Sequence, residues 1–419
     1  IKVLSTNVCP FYCYRRAELG SGNMTHLPSV TADKTVVGHS VRHDSAHLHV
    51  SGAARYIDDI PEPKGTLYAA VGMSSKAHAR ILKLDLSRVR AAPGVVAVVM
   101  AADIPGVNHM GGILKDEPVF AVDKVEYIGQ SVFAVAATSV EAARRAVLLA
   151  DIDYDVLEHN LDIRTAVAKQ QFILPTKTLK RGNAEAALTA APQRLQGQCK
   201  VGGQEHFYLE GQIAFAIPRE DGDILVYNST QHPHHVQEML AGVLNREQKD
   251  IVVECRRMGG GFGGKESQPG FFACVASVLA LKIGKPVKYR VDRDDDMMLT
   301  GKRPCYDIQY EVGFDDQGVI QGIQLDFASR CGISADLSGP VNDRTMFHAD
   351  NAYFLENVAI VSHRCKTHSQ SNTAFRGFGG PQGMMAIEYV LDEIARHLKL
   401  DPLVVRKRNF YQTQGTRDI

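Results

Sequence analysis

The stretch RRMGGGFGGKES, residues 256–267, is built to bring backbone close to a ligand. Its glycines permit positive φ and put no Cβ in the way, and the N–H groups of such a loop suit an anion. Gly259, Gly264 and Lys265 match the start of the phosphate-loop pattern G-x-x-x-x-G-K-[ST], and an apolar, strand-like run precedes them. Glu266 breaks the pattern. It stands where a Ser or Thr hydroxyl would hold magnesium, and a carboxylate there would repel phosphates. A second stretch, SNTAFRGFGGPQ at 371–382, repeats the GFGG core of 261–264 at 377–380, with Lys265 or Arg376 beside each core. Either core alone is as readily a tight turn as a binding loop. As a pair, each ahead of a helix and each with a cation, they are expected to grip one large anionic cofactor from two sides.

Other chemistry-bearing runs read as structural. His232, His234 and His235 in QHPHH lie at an expected helix start with no carboxylate or thiol at ligand spacing. The run 292–296 (DRDDD) lacks the Gly and distal Glu of a calcium loop and reads as a solvated turn. Taken singly, Glu266 reads as a solvated loop carboxylate, Arg344 as a surface ion-pair partner and Phe378 as core.

The elements that must position these loops follow from periodicity. Residues 67–73, 95–100 and 131–136 read as strands and 140–149 as a helix, a compact α/β unit over 37–158. Residues 161–194, with Pro175, Gly182 and Pro192, show no sustained period and read as a long surface connection. Strands are expected again at 213–217, 223–227, 250–253, 287–291 and 319–327. The run FFACVASVLAL at 271–281 is apolar all round and predicts a buried helix. Ile387, Val390, Leu391, Ile394 and Leu398 share one face of an amphipathic helix. The polar residues 409–419 carry no closing element.

At 419 residues the chain is long enough for two or three cores. Lys plus Arg and Asp plus Glu both number 47, so there is no electrostatic reason for nucleic acid or an anionic membrane as partner. The eight cysteines form no C-x-x-C pair, which argues against a disulfide framework, a structural metal site or an iron–sulfur cluster. No apolar run reaches membrane-span length and the N-terminus lacks a secretory core, so a cytoplasmic location is expected. Met24 reads as a natural start, with residues 1–23 extraneous and the tail 1–36 outside the fold.

RMGGGFGGKE and SNTAFRGFGGPQG, with the 229–231 run STQ, Asp343-Arg344 ahead of MFHADN at 346–351, and GQEHFYLE at 203–210, closely resemble the molybdenum-binding subunit of the xanthine dehydrogenase and aldehyde oxidase family. The match spans roughly 37–412. The resemblance implies an α/β (α+β) fold. A hammerhead-like domain at 37–158 and a connection at 159–198 would precede the first molybdopterin-binding domain at 199–419, truncated before the second. It implies a molybdenum–pyranopterin cofactor whose own dithiolene sulfurs ligate the metal. Gly260, Gly261, Phe262, Gly263 and Arg376 would hold that cofactor. In the metal's surroundings, Gln231 would bond an apical oxygen, Phe262 would lie against the centre, and the Arg376 backbone N–H would donate to a metal-bound oxygen.

The same resemblance assigns Glu266, Arg344 and Phe378 to substrate. A carboxyl and a guanidinium suit ring nitrogens and a purine oxygen, whereas aldehyde oxidases typically carry apolar residues at those two places. The implied reaction oxidises hypoxanthine and xanthine to urate by attack of a molybdenum-bound hydroxide and hydride transfer to a sulfido group. The 2Fe–2S clusters and FAD are expected on a partner subunit, in a heteromeric assembly with dimeric symmetry. The general-base Glu is expected beyond residue 419, so no catalytic residue is assigned here and the 419 residues alone are expected to be incompetent. The alternatives are an aldehyde or other N-heterocycle hydroxylase of the same fold, and a non-catalytic apo piece that binds partner subunits.

Overall fold

The computed structural model describes residues 37–412; the expected tail and the last seven residues lie outside that range. The described chain forms two units, with the boundary after Ala54. In the first, the short helix Ala46–Ser51 ends at Gly52, whose φ of 73° closes the turn.

The second unit is built on two large sheets. A seven-stranded sheet runs in the order Ile251–Glu254, Ile224–Asn228, Ile213–Pro218, Val287–Arg290, Leu67–Met73, Ser131–Ala137, Val95–Met100. The helix Pro269–Ile283 lies against it with Phe272, Cys274, Val275 and Leu279 fully buried, as expected of an apolar run that Pro opens and Gly284 closes. A five-stranded sheet follows the order Phe172–Arg181, Val358–Lys366, Ile320–Gly332, Tyr306–Phe314, Gln193–Val201. It carries the amphipathic helix Gly380–Leu398, whose Ile387, Val390, Leu391 and Ile394 face the core. A three-stranded sheet, Lys124–Val125, Ala79–Asp85 and Asp151–Val156, completes the set.

Within the large sheet Leu67–Met73 pairs in parallel with Val287–Arg290, so strands from the segment 37–158 share it with later residues. Two expectations are corrected. The segment 159–198 is no plain connection: it holds the helices Ile163–Ala168 and Ala184–Ala190, the strand Phe172–Arg181 and most of Gln193–Val201. Both strands are edges of the five-stranded sheet, where one polar face is tolerated and Pro175 loses no ladder bond it needs, so their period is faint. The acidic run 292–296 opens the helix Arg293–Leu299: the Asp292 side chain caps it on Asp295 N–H, and Asp296 is buried beneath the Tyr208 hydroxyl.

Candidate functional site

The two GFGG cores fold into the same turn. Gly264 N–H donates to Gly261 O at 2.8 Å and Gly380 N–H to Gly377 O at 3.0 Å. In each turn the phenylalanine and the glycine after it have positive φ: Phe262 at 55° and Gly263 at 98°, Phe378 at 52° and Gly379 at 96°. A bulky residue in that region is strained, and such strain collects at ligand sites. The second core leads straight into the helix Gly380–Leu398, whereas the first is followed by residues 265–268 before Pro269 opens its helix.

Close approach of the loops explains the glycines. A Cβ on Gly263 would stand 2.8 Å from the carbonyl carbon of Ala374, and one on Gly261 would stand 2.4 Å from Gln231 Oε1. Gln231 lies between the strand Ile224–Asn228 and the helix Pro233–Leu244, where His232 is the N-cap. Its backbone N–H donates to Lys265 O at 2.7 Å, and its Oε1 accepts from Gly263 N–H at 2.8 Å and more loosely from Lys265 N–H at 3.4 Å. With the oxygen so engaged, the amide NH2 is the end left for a ligand.

A cleft of about 220 Å3 results, with Gln231, Phe262, Gly263 and Glu266 on one side and residues 374–378 on the other. Of the residues expected at the site, Gln231, Phe262, Gly263, Glu266, Arg376 and Phe378 line it together. Gly260 and Gly261 shape the turn behind Phe262, and a Cβ on Gly260 would touch the Phe262 and Tyr208 side chains. Glu266 is half-buried; burial pushes its carboxyl pKa up, the Asp336 carboxylate adds to that, and His232 opposes it. Arg344 does not line the cleft. It is exposed on the helix Ser338–Phe347, and its Nε bonds His348 at 3.2 Å.

Two details differ from expectation. The Arg376 N–H, expected to reach a ligand oxygen, donates instead to Phe262 O at 2.8 Å, because the loops need that bond to close on each other. Lys265, expected as a cation beside the ligand, is fully buried and points away. Its Nζ donates to Glu210 O at 2.7 Å, Gly211 O at 3.1 Å and Ser229 Oγ at 2.7 Å, with Glu210 Oε2 at 3.5 Å. Burial brings its pKa down to about 8 even though Glu210 pulls the other way.

Sequence reasoning gave no role to the residues that brace the second loop. His206 bonds Ala374 O through Nε2 at 2.7 Å and packs on Phe375, and burial lowers its pKa. The Arg303 guanidinium lies over the same ring, 4.0 Å from its centroid, and donates to Arg376 O at 2.7 Å. His206 stands inside the motif at 203–210, while nothing around Arg303 in sequence marks it.

Among the described residues the cleft lining carries no Cys or His, a donor set that suits a metal bringing ligands of its own. The free amide of Gln231, the Cβ-free wall at Gly261 and Gly263 and the ring of Phe262 fit a flat organic group that carries polar oxygens.

Comparison with known proteins agrees with that donor set. Residues 166–410 match the molybdopterin cofactor-binding domain and residues 51–158 the aldehyde oxidase and xanthine dehydrogenase a/b hammerhead domain. Xanthine dehydrogenase/oxidase of Gallus gallus is 43% identical over 90% of this chain and 28% of its own length. Xanthine dehydrogenase of Oryza sativa subsp. japonica is 44% identical over 98% and 30%, and aldehyde oxidase 4 of Cavia porcellus 38% over 90% and 28%. The chain thus spans less than a third of these curated relatives. Among solved structures, the aldehyde oxidoreductase from Desulfovibrio gigas superposes with a TM-score of 0.81 at 26% identity, over 89% of this chain and 43% of its own. Quinoline 2-oxidoreductase from Pseudomonas putida 86 shares the fold, with a TM-score of 0.81 at 23% identity over 90% and 50%. The chain belongs to the xanthine dehydrogenase and aldehyde oxidase family, and the paired glycine loops lie within its molybdopterin cofactor-binding domain.

Proposed function

We propose that this chain forms the substrate and cofactor face of a molybdenum hydroxylase that oxidises hypoxanthine and xanthine to urate. The observation that carries the reading is a half-buried carboxyl, Glu266, in the same cleft as the free amide of Gln231. The molybdenum–pyranopterin, when bound, supplies the two-electron redox chemistry. The chain's own residues bind and orient. Gln231 Nε2 donates a hydrogen bond into the cleft while its oxygen stays fixed on Gly263 N–H, so the donor is aimed before substrate arrives. Glu266, with its pKa raised by burial, donates to or accepts from a ring nitrogen. Phe378 gives the heterocycle a face to stack on.

Arg344 is assigned to the developing charge on a purine oxygen. Its helix packs on the second loop through Thr345 Oγ1, which donates to Gly379 O at 3.1 Å. Iron–sulfur clusters and FAD on a partner subunit or another segment would carry electrons away, in a dimeric heteromeric assembly in the cytoplasm. The described residues contain no helix long and apolar enough to cross a membrane. One observation favours a second reading, an aldehyde or other N-heterocycle hydroxylase: Arg344 stands outside the cleft lining.

The double variant Glu266→Val with Arg344→Met in the complete enzyme decides between them. The purine reading expects kcat/KM for xanthine to fall by ~100-fold or more with aldehyde turnover retained, since a site that hydrogen-bonds its substrate discriminates steeply. Xanthine turnover that survives the double change overturns it.

A further inference from the structure

Two carbonyls of the second glycine loop are held from behind. Ala374 O accepts from His206 Nε2 at 2.7 Å, and Arg376 O accepts from Arg303 Nη2 at 2.7 Å. Residues 374–378 all line the cleft, whereas His206 and Arg303 do not, so both carbonyls point out of it. A trans peptide sets its N–H opposite its C=O, and no peptide bond here is cis. The N–H groups of Phe375 and Gly377 therefore point to the cleft side of the wall. Among the described residues neither meets an acceptor, while Arg376 N–H is taken by Phe262 O and Phe378 N–H by Phe375 O. Gly263 keeps the first of the two clear, since a Cβ there would stand 3.0 Å from Phe375 N.

The two anchors are a poor choice for packing alone. Each is 6% exposed, and the segments that carry them are joined by Arg303 N–H donating to Gln204 O at 3.0 Å. Arg303 Nε and Nη1 and His206 Nδ1 are buried without a hydrogen-bond partner, and among the described residues no carboxylate pairs with Arg303. A buried cation so incompletely matched costs the fold, and an apolar side chain would cover the Phe375 ring without that penalty. What the guanidinium adds is charge behind Arg376 O, which polarises that peptide and makes the opposed Gly377 N–H a stronger donor. His206 must carry its proton on Nε2 to donate to Ala374 O, and with Nδ1 unpartnered it stays neutral.

We propose that the N–H groups of Phe375 and Gly377 are the second loop's hydrogen-bond donors to oxygen atoms of the bound molybdopterin cofactor, and that His206 and Arg303 are the positioning residues that aim them. This rests on the reading of the cleft as the cofactor's. The pair takes the part expected of Arg376 N–H, which the junction with the first loop occupies. With the Gln231 amide on the opposite wall, the cleft then offers donors from both sides.

The experiment is amide hydrogen exchange on the complete enzyme, loaded with cofactor and purified without it, read at single residues across 260–264 and 374–378 by mass spectrometry. Phe375 and Gly377 should exchange ~10-fold or more slowly in the loaded form, while Arg376 stays equally protected in both. Arg303→Met should abolish the cofactor-dependent slowing at Gly377 and keep it at Phe375, and Arg303→Lys, which retains a charged donor, should restore it. His206→Phe should do the reverse, abolishing it at Phe375 and keeping it at Gly377. Loss at both positions in either variant would make the two side chains general packing residues and overturn the aiming role. Unchanged exchange at Phe375 and Gly377 in the parent overturns the proposal outright, and that comparison decides alone should the variants fail to fold. A cofactor that slows amides of 260–264 but neither of these sinks only this proposal. One that slows none of them sinks the reading of the cleft itself.

Discussion

The backbone N–H of Arg376 donates to the carbonyl oxygen of Phe262 at 2.8 Å, so each glycine loop is held by the other. That bond needs Gly263, where φ is 98° and a Cβ would stand 2.8 Å from the Ala374 carbonyl carbon. Gly263→Ala should therefore cost ~1–3 kcal/mol from backbone strain and should also separate the loops. The expected result is a lower unfolding midpoint together with reduced molybdenum per chain, measured by elemental mass spectrometry on the complete enzyme. Gly284→Ala is the control: its φ is 68° with open space around the site, so it should lower the midpoint and leave the metal content alone.

Lys265 was expected beside the ligand and instead anchors the loop from inside. Lys265→Met leaves Glu210 buried without its cation and two backbone carbonyls without a donor, and breaking such a pair typically costs ~3–5 kcal/mol. The pH dependence has a definite sign. The folded pKa of about 8 lies below the ordinary 10.5, so between those values the unfolded chain binds more protons and this group makes stability rise with pH. That contribution is present in full above the unfolded value and is lost as pH falls through 8. Denaturant unfolding across the window should show the rise in the parent and its loss in Lys265→Met.

What could be read in the sequence follows from how strongly each segment is buried. The helix Pro269–Ile283 and the strands Leu67–Met73 and Ser131–Ala137 are covered on nearly every side, so their composition gives them away. The edge strands Phe172–Arg181 and Gln193–Val201 and the short sheet around Ala79–Asp85 carry half-exposed, mixed patterns that resemble loops. At the cleft, the paired GFGG cores mark the two walls. Whether a side chain points into the cleft or behind it depends on contacts made far away in sequence. Lys265 turns inward because Glu210 and Ser229 wait there, and Arg376 N–H is taken by Phe262.

Phe262 is 48% exposed with φ of 55°, a conformation worth roughly 1 kcal/mol of strain for a ring-bearing residue and none for glycine. Phe262→Gly gives up a half-exposed ring and relieves the backbone. The unfolding midpoint should stay level or rise while kcat falls, the mark of a residue kept for the site at the expense of the fold. A large drop in midpoint would assign Phe262 to packing instead.

Gln231 separates two roles within one amide. Its oxygen holds Gly263 N–H at 2.8 Å, and its nitrogen is free to face a ligand. Gln231→Glu keeps an acceptor for Gly263 and loses the donor. Gln231→Met loses both, leaving Gly263 N–H unpaired against the loop. If the nitrogen serves the ligand, Gln231→Glu should keep the unfolding midpoint and the molybdenum content of the complete enzyme and lower kcat by ~100-fold, the size seen when one aimed donor is removed from a dry site. Gln231→Met should in addition loosen the loop and lower the midpoint by the ~1–3 kcal/mol of an unsatisfied group. Equal kinetics in the parent and Gln231→Glu would leave the side chain only its structural bond to Gly263. The difference between the two variants, rather than either alone, distinguishes a residue that builds the cleft from one that acts within it.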